Sequence, residues 1–68
     1  MDWEGFGKRL RQRRLELGWS QEDLGNKAIV SANTVSDLER ARHIPNAHTF
    51  TNVVTALGWD LTTAIHDL

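Results

Sequence analysis

Apolar side chains recur along this chain at helical spacing, and the segments they define are short. Trp3, Phe6, Leu10 and Leu17 form one stripe, which predicts a first helix that ends at Gly18. Glycine is the residue best suited to the left-handed conformation that closes a helix. No segment shows the alternation of a strand, so the pattern predicts an all-α chain.

Two further helices are predicted to start at Ser20 and Ser31. Each serine precedes a helical stripe and can accept from backbone N–H groups of the following turn, and Asp23 stands three residues after Ser20 as in a capping box. The stripes are Leu24 with Ala28 in the first of these helices and Val35 with Leu38 in the second. The connection over residues 29–31 is short, so the helices should meet at a steep angle. This predicts a helix-turn-helix over about residues 20–41, whose second helix presents an outer face to a DNA groove.

The C-terminal third predicts two more helices. Pro45 interrupts the chain, Asn46 can cap a fourth helix, and Gly58 ends it. Asp60 can cap a fifth. The apolar faces of these helices comprise Phe50, Val53, Val54 and Leu57, and then Leu61, Ala64, Ile65 and Leu68. We therefore expect a single compact domain of five short helices over residues 1–68.

Composition excludes several classes of function. With 68 residues and no cysteine, the chain has no disulfides, thiolate metal sites or cysteine nucleophile. The three histidines lack metal-ligand spacing, and no nucleophile elbow or phosphate-binding glycine loop is present, so we expect no enzyme, metal, cofactor or small-molecule ligand. No apolar run approaches the roughly 20 residues that span a bilayer, which favours a cytoplasmic, nucleoid-associated protein without a membrane partner.

The charge distribution is polarised. The formal net charge is -1, which argues against binding nucleic acid. However, five of the eight Lys and Arg residues lie between positions 8 and 14, and none follows Arg42. The basic residues therefore concentrate on and near the helices that would face DNA.

Four stretches carry a resemblance to a known family: FGKRLR over residues 6–11, LGWSQEDL over 17–24, VSANTVSDLER over 30–40 and LGWDL over 57–61. The chain resembles the Cro/phage-repressor type of helix-turn-helix domain, the xenobiotic-response-element family of bacterial and phage regulators. The resemblance implies a five-helix, lambda-repressor-like domain that binds double-stranded DNA. It also implies a transcriptional regulator, expected to be a repressor that acts as a homodimer on a palindromic operator.

Carried over position by position, the resemblance implies a set of contact residues. Asn33 is the leading base reader, because its amide can pair with adenine in the major groove. The complete set of base-contact candidates is Gln21, Ala32, Asn33, Ser36 and Asp37. The phosphate-contact candidates are Arg9, Arg11, Gln21, Arg40, Arg42 and His43. Asp37 has two interpretations: it accepts from cytosine N4, or it stays away from DNA, where it faces solvent or pairs with Arg40.

The resemblance assigns two other roles. Arg14 and Glu39 are expected to form a structural ion pair between the first and third helices. Candidate residues for the dimer interface are Trp59, Leu61, Ile65 and Leu68. The chain departs from the family at Ile29 and Ala41, where glycine is usual, and at Arg13, where many members bury a leucine. At Ile29 the turn is therefore expected to be either rearranged or strained.

Alternatives of other classes stay open. The chain could be the antitoxin of a toxin-antitoxin pair, with a toxin protein as an additional partner. It could be a protein-interaction module that has lost DNA binding, which the net charge of -1 and Asp37 favour. It could also be an activator, with Glu22 and Asp23 as an acidic patch for RNA polymerase.

Overall fold

The computed structural model of the protein describes residues 1–60, which form four α-helices and no strand. They are α1 (Trp3–Glu16), α2 (Gln21–Ala28), α3 (Ala32–Glu39) and α4 (Ala47–Ala56). The all-helical prediction and its first four helices are confirmed. The predicted fifth helix falls on residues 61–68, outside the described residues. In the described part of the chain, no helix is long and apolar enough to cross a membrane.

Each of these four helices begins at a side-chain cap. Ser20 accepts from the backbone N–H of Asp23 at 2.9 Å, and the Asp23 carboxylate accepts from the N–H of Ser20 at 2.8 Å, which completes the predicted capping box. Ser31 and Asn46 cap α3 and α4 in the same manner, also as predicted. Asp2 caps α1, a role that the sequence analysis did not assign.

The apolar stripes of α1 to α4 meet in one core, as their spacing predicts. Within residues 1–60, nine buried hydrophobic residues form this core; they come from the four helices and the residue after α4, and they are Phe6, Leu10, Leu24, Ala28, Val35, Leu38, Val53, Val54 and Leu57. Each large aliphatic side chain removed from water contributes about 1.5 to 3 kcal/mol. Since the chain has no disulfide, this burial is the main source of its stability.

Aromatic rings extend the core between α1 and α4. The ring of Phe6 lies 5.2 Å from that of Phe50 and 5.6 Å from that of Trp3, in edge-to-face arrangements. Trp59 adds a further edge contact to Phe6 at 6.5 Å. Trp19 also packs against the core, and Lys27 lies over its ring at 4.8 Å.

Two buried glycines allow backbones to approach closely around α3. A Cβ atom at Gly7 would lie 2.5 Å from the carbonyl oxygen of Leu38, so only glycine lets α1 lie against the end of α3. A Cβ atom at Gly25 would lie 2.7 Å from the carbonyl oxygen of Val30 in the turn. The backbone around α3 is therefore fixed at both ends by glycines on neighbouring helices.

A residue in the left-handed backbone conformation follows each of the four described helices, but only two of these residues are glycine. Gly18 and Gly58 close α1 and α4 with φ angles of 74° and 78°. Ile29 and Ala41 take the same conformation after α2 and α3, with φ angles of 58° and 54°. Of the two outcomes expected at Ile29, the structure has the strained one, because a β-branched residue is disfavoured there.

Arg13 connects α1 to the end of α4 through its guanidinium group. Its Nε donates to the carbonyl oxygen of Leu57 at 3.2 Å, and its Nη1 lies 3.8 Å from a Glu16 carboxylate oxygen. Arg13 therefore satisfies a carbonyl group at the C-terminal end of α4, whereas a leucine at this position could not. Where many family members bury a leucine, this chain therefore has a hydrogen bond between α1 and the residue after α4.

Candidate nucleic-acid interface

Helix α3 presents one face to the core and the opposite face outward. Val35 and Leu38 are buried against the other helices. Helical periodicity then directs Asn33, Asp37 and Arg40 away from the core. Asn33 and Arg40 are exposed, whereas Ser36, Asp37 and Ala32 are half-buried. Four of the five base-contact candidates therefore lie on or beside one surface, which we call the α3 outer face: Ala32, Asn33, Ser36 and Asp37.

Asn33 is not needed to cap the helix on which it lies. Ser31 supplies the cap of α3, because its Oγ accepts from the backbone N–H of Thr34 at 3.1 Å. The hydroxyl of Thr34 makes a second contact with Ser31 Oγ at 2.9 Å. Helix-start capping, a role that an asparagine near a helix N-terminus can also fill, is therefore supplied by a neighbouring residue, and the amide remains on the exposed surface.

A buried polar network holds α3 against the end of α1. The Nε and Nη2 atoms of Arg14 donate to the two carboxylate oxygens of Glu39 at 2.6 and 3.1 Å. The Nη1 atom of Arg14 donates to the carbonyl oxygen of Trp19 at 2.7 Å, just before α2. The two side chains of this ion pair are only 9% and 3% exposed. One bidentate pair thus links α1, the start of α2 and the end of α3.

The electrostatics of this pair favour its charged form. The hydrogen bonds that Arg14 donates to Glu39 raise the pKa of Arg14 above its ordinary value, burial opposes this shift, and the charge of Glu39 adds to it. Arginine is ionised throughout the working pH range in any case. The pair is therefore a permanent ionic contact, and its role is to orient α3.

Gln21 lies between this network and the outer surface. It is the first residue of α2, and its Nε2 donates to Glu39 Oε1 at 3.3 Å. The same amide still has an oxygen and a second hydrogen for other partners. Gln21 is half-buried, so the predicted contact residue is also attached to the pair that fixes α3.

The chain turns back along α3 after that helix ends. With Ala41 in the left-handed conformation, the N–H of Ala41 donates to the carbonyl of Leu38 and that of Arg42 to the carbonyl of Asp37, at 3.2 and 2.9 Å. This turn brings His43 beside Asp37, where the Nδ1 and Oδ2 atoms lie 3.0 Å apart. The sequence predicts that Asp37 reads a base, faces solvent or pairs with Arg40. Its observed partner is His43, because the turn returns the chain to the outer face.

The basic residues of α1 lie on two different flanks. Gly7 and Arg14 mark the side of α1 that touches α3, and helical periodicity places Arg11 next to that side. Lys8 lines a shallow groove of about 220 Å³ together with Glu4, Glu39, Arg40 and Ala41. Lys8 was not among the phosphate-contact candidates, although it lies one helical turn before Arg11 in the same basic stretch.

Arg9 lies on the other flank of α1. It lines a separate groove with Gln12, Arg13, Glu16 and Trp59, away from α3. Trp59, one of the dimer candidates, is half-buried with its ring against Phe6. The other dimer candidates, Leu61, Ile65 and Leu68, lie outside the described residues.

The capped helices, the short turn and the exposed α3 define a helix-turn-helix domain. A family model described as a helix-turn-helix domain matches residues 6–64, and the chain belongs to this family. This supports the resemblance to Cro/repressor-type domains and identifies the chain as a DNA-binding, helix-turn-helix protein of transcription regulation. No curated protein matches the chain.

A solved structure of similar fold is the clp gene regulator ClgR from C. glutamicum. It superimposes with a TM-score of 0.78 at 28% sequence identity. The match covers 94% of this chain and 83% of that one. The similarity thus extends beyond the helix-turn-helix to nearly the whole domain.

Proposed function

We propose that this protein is a transcriptional repressor that binds a specific double-stranded DNA operator through α3. The observation that carries this proposal is the exposed outer face of α3, a helix whose opposite side is held in place by buried contacts. Asn33 and Arg40 face outward, while the Arg14 and Glu39 pair anchors the far end of the helix. Such a rigid support is what base recognition requires, since contacts must be held to a fraction of an ångström. The proposal includes no catalytic step.

Base recognition is assigned chiefly to Asn33. Its amide can donate to N7 and accept from N6 of adenine in the major groove. Ala32 would contact a thymine methyl group. Ser36 would accept or donate a hydrogen bond with little discrimination between bases. Gln21, at the N-terminus of α2, would donate to a backbone phosphate and so set the register of the domain on the duplex.

Phosphate contacts are assigned to basic side chains around the α3 outer face. Arg40, Arg42 and His43 are exposed at its C-terminal end, and Arg11 lies on the adjacent flank of α1. Lys8 joins this set because it lines a groove with Arg40. If a subunit neutralises about four phosphates, the logarithm of the affinity falls with the logarithm of salt concentration with a slope near -0.9 per contact. These local contacts make DNA binding compatible with the net charge of -1.

Two subunits related by a two-fold axis would bind a palindromic operator. Their recognition helices would then enter successive major grooves about 34 Å apart. Trp59 and the apolar residues after it are assigned to the subunit interface, because Trp59 is only half-buried although its ring packs against Phe6. Occupation of such an operator would block access of RNA polymerase.

Selection of bound duplexes from a random pool tests this proposal. Fluorescence anisotropy should then give tight binding to the selected duplex and binding weaker by about 10³-fold or more to a scrambled duplex of the same length. A two-fold symmetric selected sequence and two subunits per duplex in sedimentation would support the dimer. Absence of binding to any duplex at low salt would refute the DNA-binding proposal. A single asymmetric site bound by one subunit would refute the dimer alone.

A further inference from the structure

The contact between Asp37 and His43 lies at the C-terminal end of the α3 outer face. Asp37 Oδ2 and His43 Nδ1 are 3.0 Å apart, and the histidine side chain is 75% exposed. The Asp37 side chain is only 29% exposed. A partly covered carboxylate therefore holds one nitrogen of an imidazole whose remaining surface is open to solvent.

This geometry fixes which nitrogen carries a proton. An ionised carboxylate can only accept hydrogen bonds, so Nδ1 must carry the hydrogen that lies between the two groups. The Nε2 atom is then either a lone-pair acceptor or, in the imidazolium, a second donor. A nearby phosphate can accept only from the donor form, and its negative charge favours that form.

We propose that Asp37 positions His43 as an imidazolium whose Nε2–H donates to a backbone phosphate of the bound duplex. This inference rests on the proposed DNA-binding function and adds a specific role for each residue. Asp37 is a positioning residue, and His43 is the contact. DNA binding then takes up a proton at His43, because the phosphate and the carboxylate stabilise the same charged ring from its two sides.

The proposal also accounts for an acidic residue on a DNA-binding surface. An isolated carboxylate would repel phosphates, whereas a carboxylate paired with an imidazolium carries no net charge. Other charged groups surround this end of α3: Glu4 and Lys8 from α1, Glu39 and Arg40 from α3, and Arg42 in the connection. The charge of Glu39 is already paired with Arg14. A bound phosphate would add a negative charge beside the His43 ring.

The test compares affinities for one selected duplex at about pH 6 and about pH 8, at constant ionic strength, because histidine changes charge across this interval. The wild-type protein should bind about fivefold more tightly at the lower pH, and His43→Gln should lose most of this difference. His48→Gln is the matched control, since His48 is an exposed histidine of α4 whose Nε2 lies 3.4 Å from the Asn52 amide. It should keep the wild-type pH dependence.

The salt dependence shows whether the partner is a phosphate. At about pH 6, His43→Gln should reduce the magnitude of the slope of log affinity against log salt by about 0.9, and at about pH 8 it should change little. An unchanged slope at the lower pH would overturn the phosphate assignment. Equal pH dependence in His43→Gln and His48→Gln would overturn the proposal as a whole.

Asp37→Asn tests the positioning role, because it keeps the size of the side chain and removes its charge. This variant should bind the selected duplex more tightly than wild type at about pH 8. Its affinity should rise less than that of wild type when the pH is lowered to about 6. Imidazole ¹⁵N spectra should show a smaller protonated fraction of His43 in the variant–DNA complex. An unchanged spectrum and pH dependence would contradict the role of Asp37. Failure of the wild-type protein to bind any duplex would instead refute the proposed function itself.

Discussion

Ile29 and Ala41 hold the same left-handed backbone conformation at opposite ends of α3, with φ angles of 58° and 54°. Both positions carry a side chain where the backbone favours glycine. Ile29 lies in the turn that precedes α3, and Ala41 lies in the turn that returns the chain toward Asp37. Strain is therefore concentrated at the two junctions of the proposed recognition helix.

Ile29→Gly should stabilise the domain. The substitution removes a β-branched residue from a conformation that costs about 1 to 2 kcal/mol, offset in part by the greater entropy of glycine in the unfolded chain. Ile29 is 86% exposed, so little apolar burial is lost. We expect a gain of about 1 kcal/mol and a rise in Tm of about 4 to 8 °C, measured by thermal unfolding. Gly18→Ala, at a glycine in the left-handed conformation, should instead lower the Tm.

Ala41→Gly should also stabilise the domain, by about 0.5 kcal/mol in urea unfolding, since alanine is less disfavoured in this conformation than isoleucine. The matched control is Ala56→Gly, which introduces glycine inside the last turn of α4 and should cost about 0.5 to 1 kcal/mol. The interpretation of strain at Ala41 would be wrong if both substitutions destabilised the protein equally.

Arg14→Met should destabilise the domain severely. It leaves the Glu39 carboxylate buried without its partner, which costs about 3 to 5 kcal/mol. Arg14→Lys should cause a smaller loss, because it keeps the charge but not the bidentate geometry. Circular dichroism during urea titration would give both values.

A double variant and an exposed ion pair serve as controls for the buried pair of Arg14 and Glu39. Arg14→Met combined with Glu39→Met should cost less than Arg14→Met alone, because neither charge is then buried unpaired. Glu16→Gln breaks the more exposed contact with Arg13 and should change stability by less than about 1 kcal/mol. Similar losses for the buried and the exposed pair would contradict the structural role of Arg14.

Acid should weaken the capping box of α2. Hydrogen bonds from the backbone N–H of Ser20, and then from its side chain, lower the pKa of Asp23 below its ordinary value. A carboxyl group with a lowered folded-state pKa stabilises the protein at pH values above its unfolded-state pKa of about 4, and this contribution is lost as the pH falls through the folded-state pKa.

Asp23→Asn isolates this contribution. The variant should be less stable than wild type at neutral pH, and the difference should shrink as the pH falls below about 4. Thermal unfolding of both proteins across this pH range measures it. A stability difference that is constant with pH would show that the Asp23 charge has no part in the cap.

Asn33→Ala and Arg42→Ala should weaken DNA binding in different ways. Loss of the Asn33 amide should reduce discrimination at one base step by about 1 to 3 kcal/mol. Loss of Arg42 should weaken binding to all duplexes alike. It should also reduce the magnitude of the slope of log affinity against log salt by about 0.9. Anisotropy titrations with a panel of single-base operator variants measure both effects.

Asn26→Ala is the control, because Asn26 is exposed on α2 and is not among the proposed contacts. Equal effects of Asn33→Ala and Arg42→Ala on every duplex would remove the distinction between base reading and phosphate binding.

The local sequence determined the elements and their ends. Ser20, Ser31 and Asn46 were identifiable as caps because a short polar side chain before an apolar stripe satisfies backbone donors within its own turn. The core stripe of α3, Val35 and Leu38, followed from periodicity alone. These features depend on residues within a few positions of one another, which is the range over which a sequence pattern acts.

Only the tertiary structure decided which side chains meet across elements. The contact of His43 with Asp37 depends on Ala41 adopting a left-handed conformation, and sequence could not choose between that turn and another. The separation of Arg9 from the α3 flank depends on how α1 rotates to place Gly7 against Leu38. Sequence by itself therefore determined an all-helical domain with a candidate reader in Asn33. The partners of Asp37, Gln21 and Arg13 were decided by packing, because contacts between distant residues depend on helix orientations that no local pattern encodes.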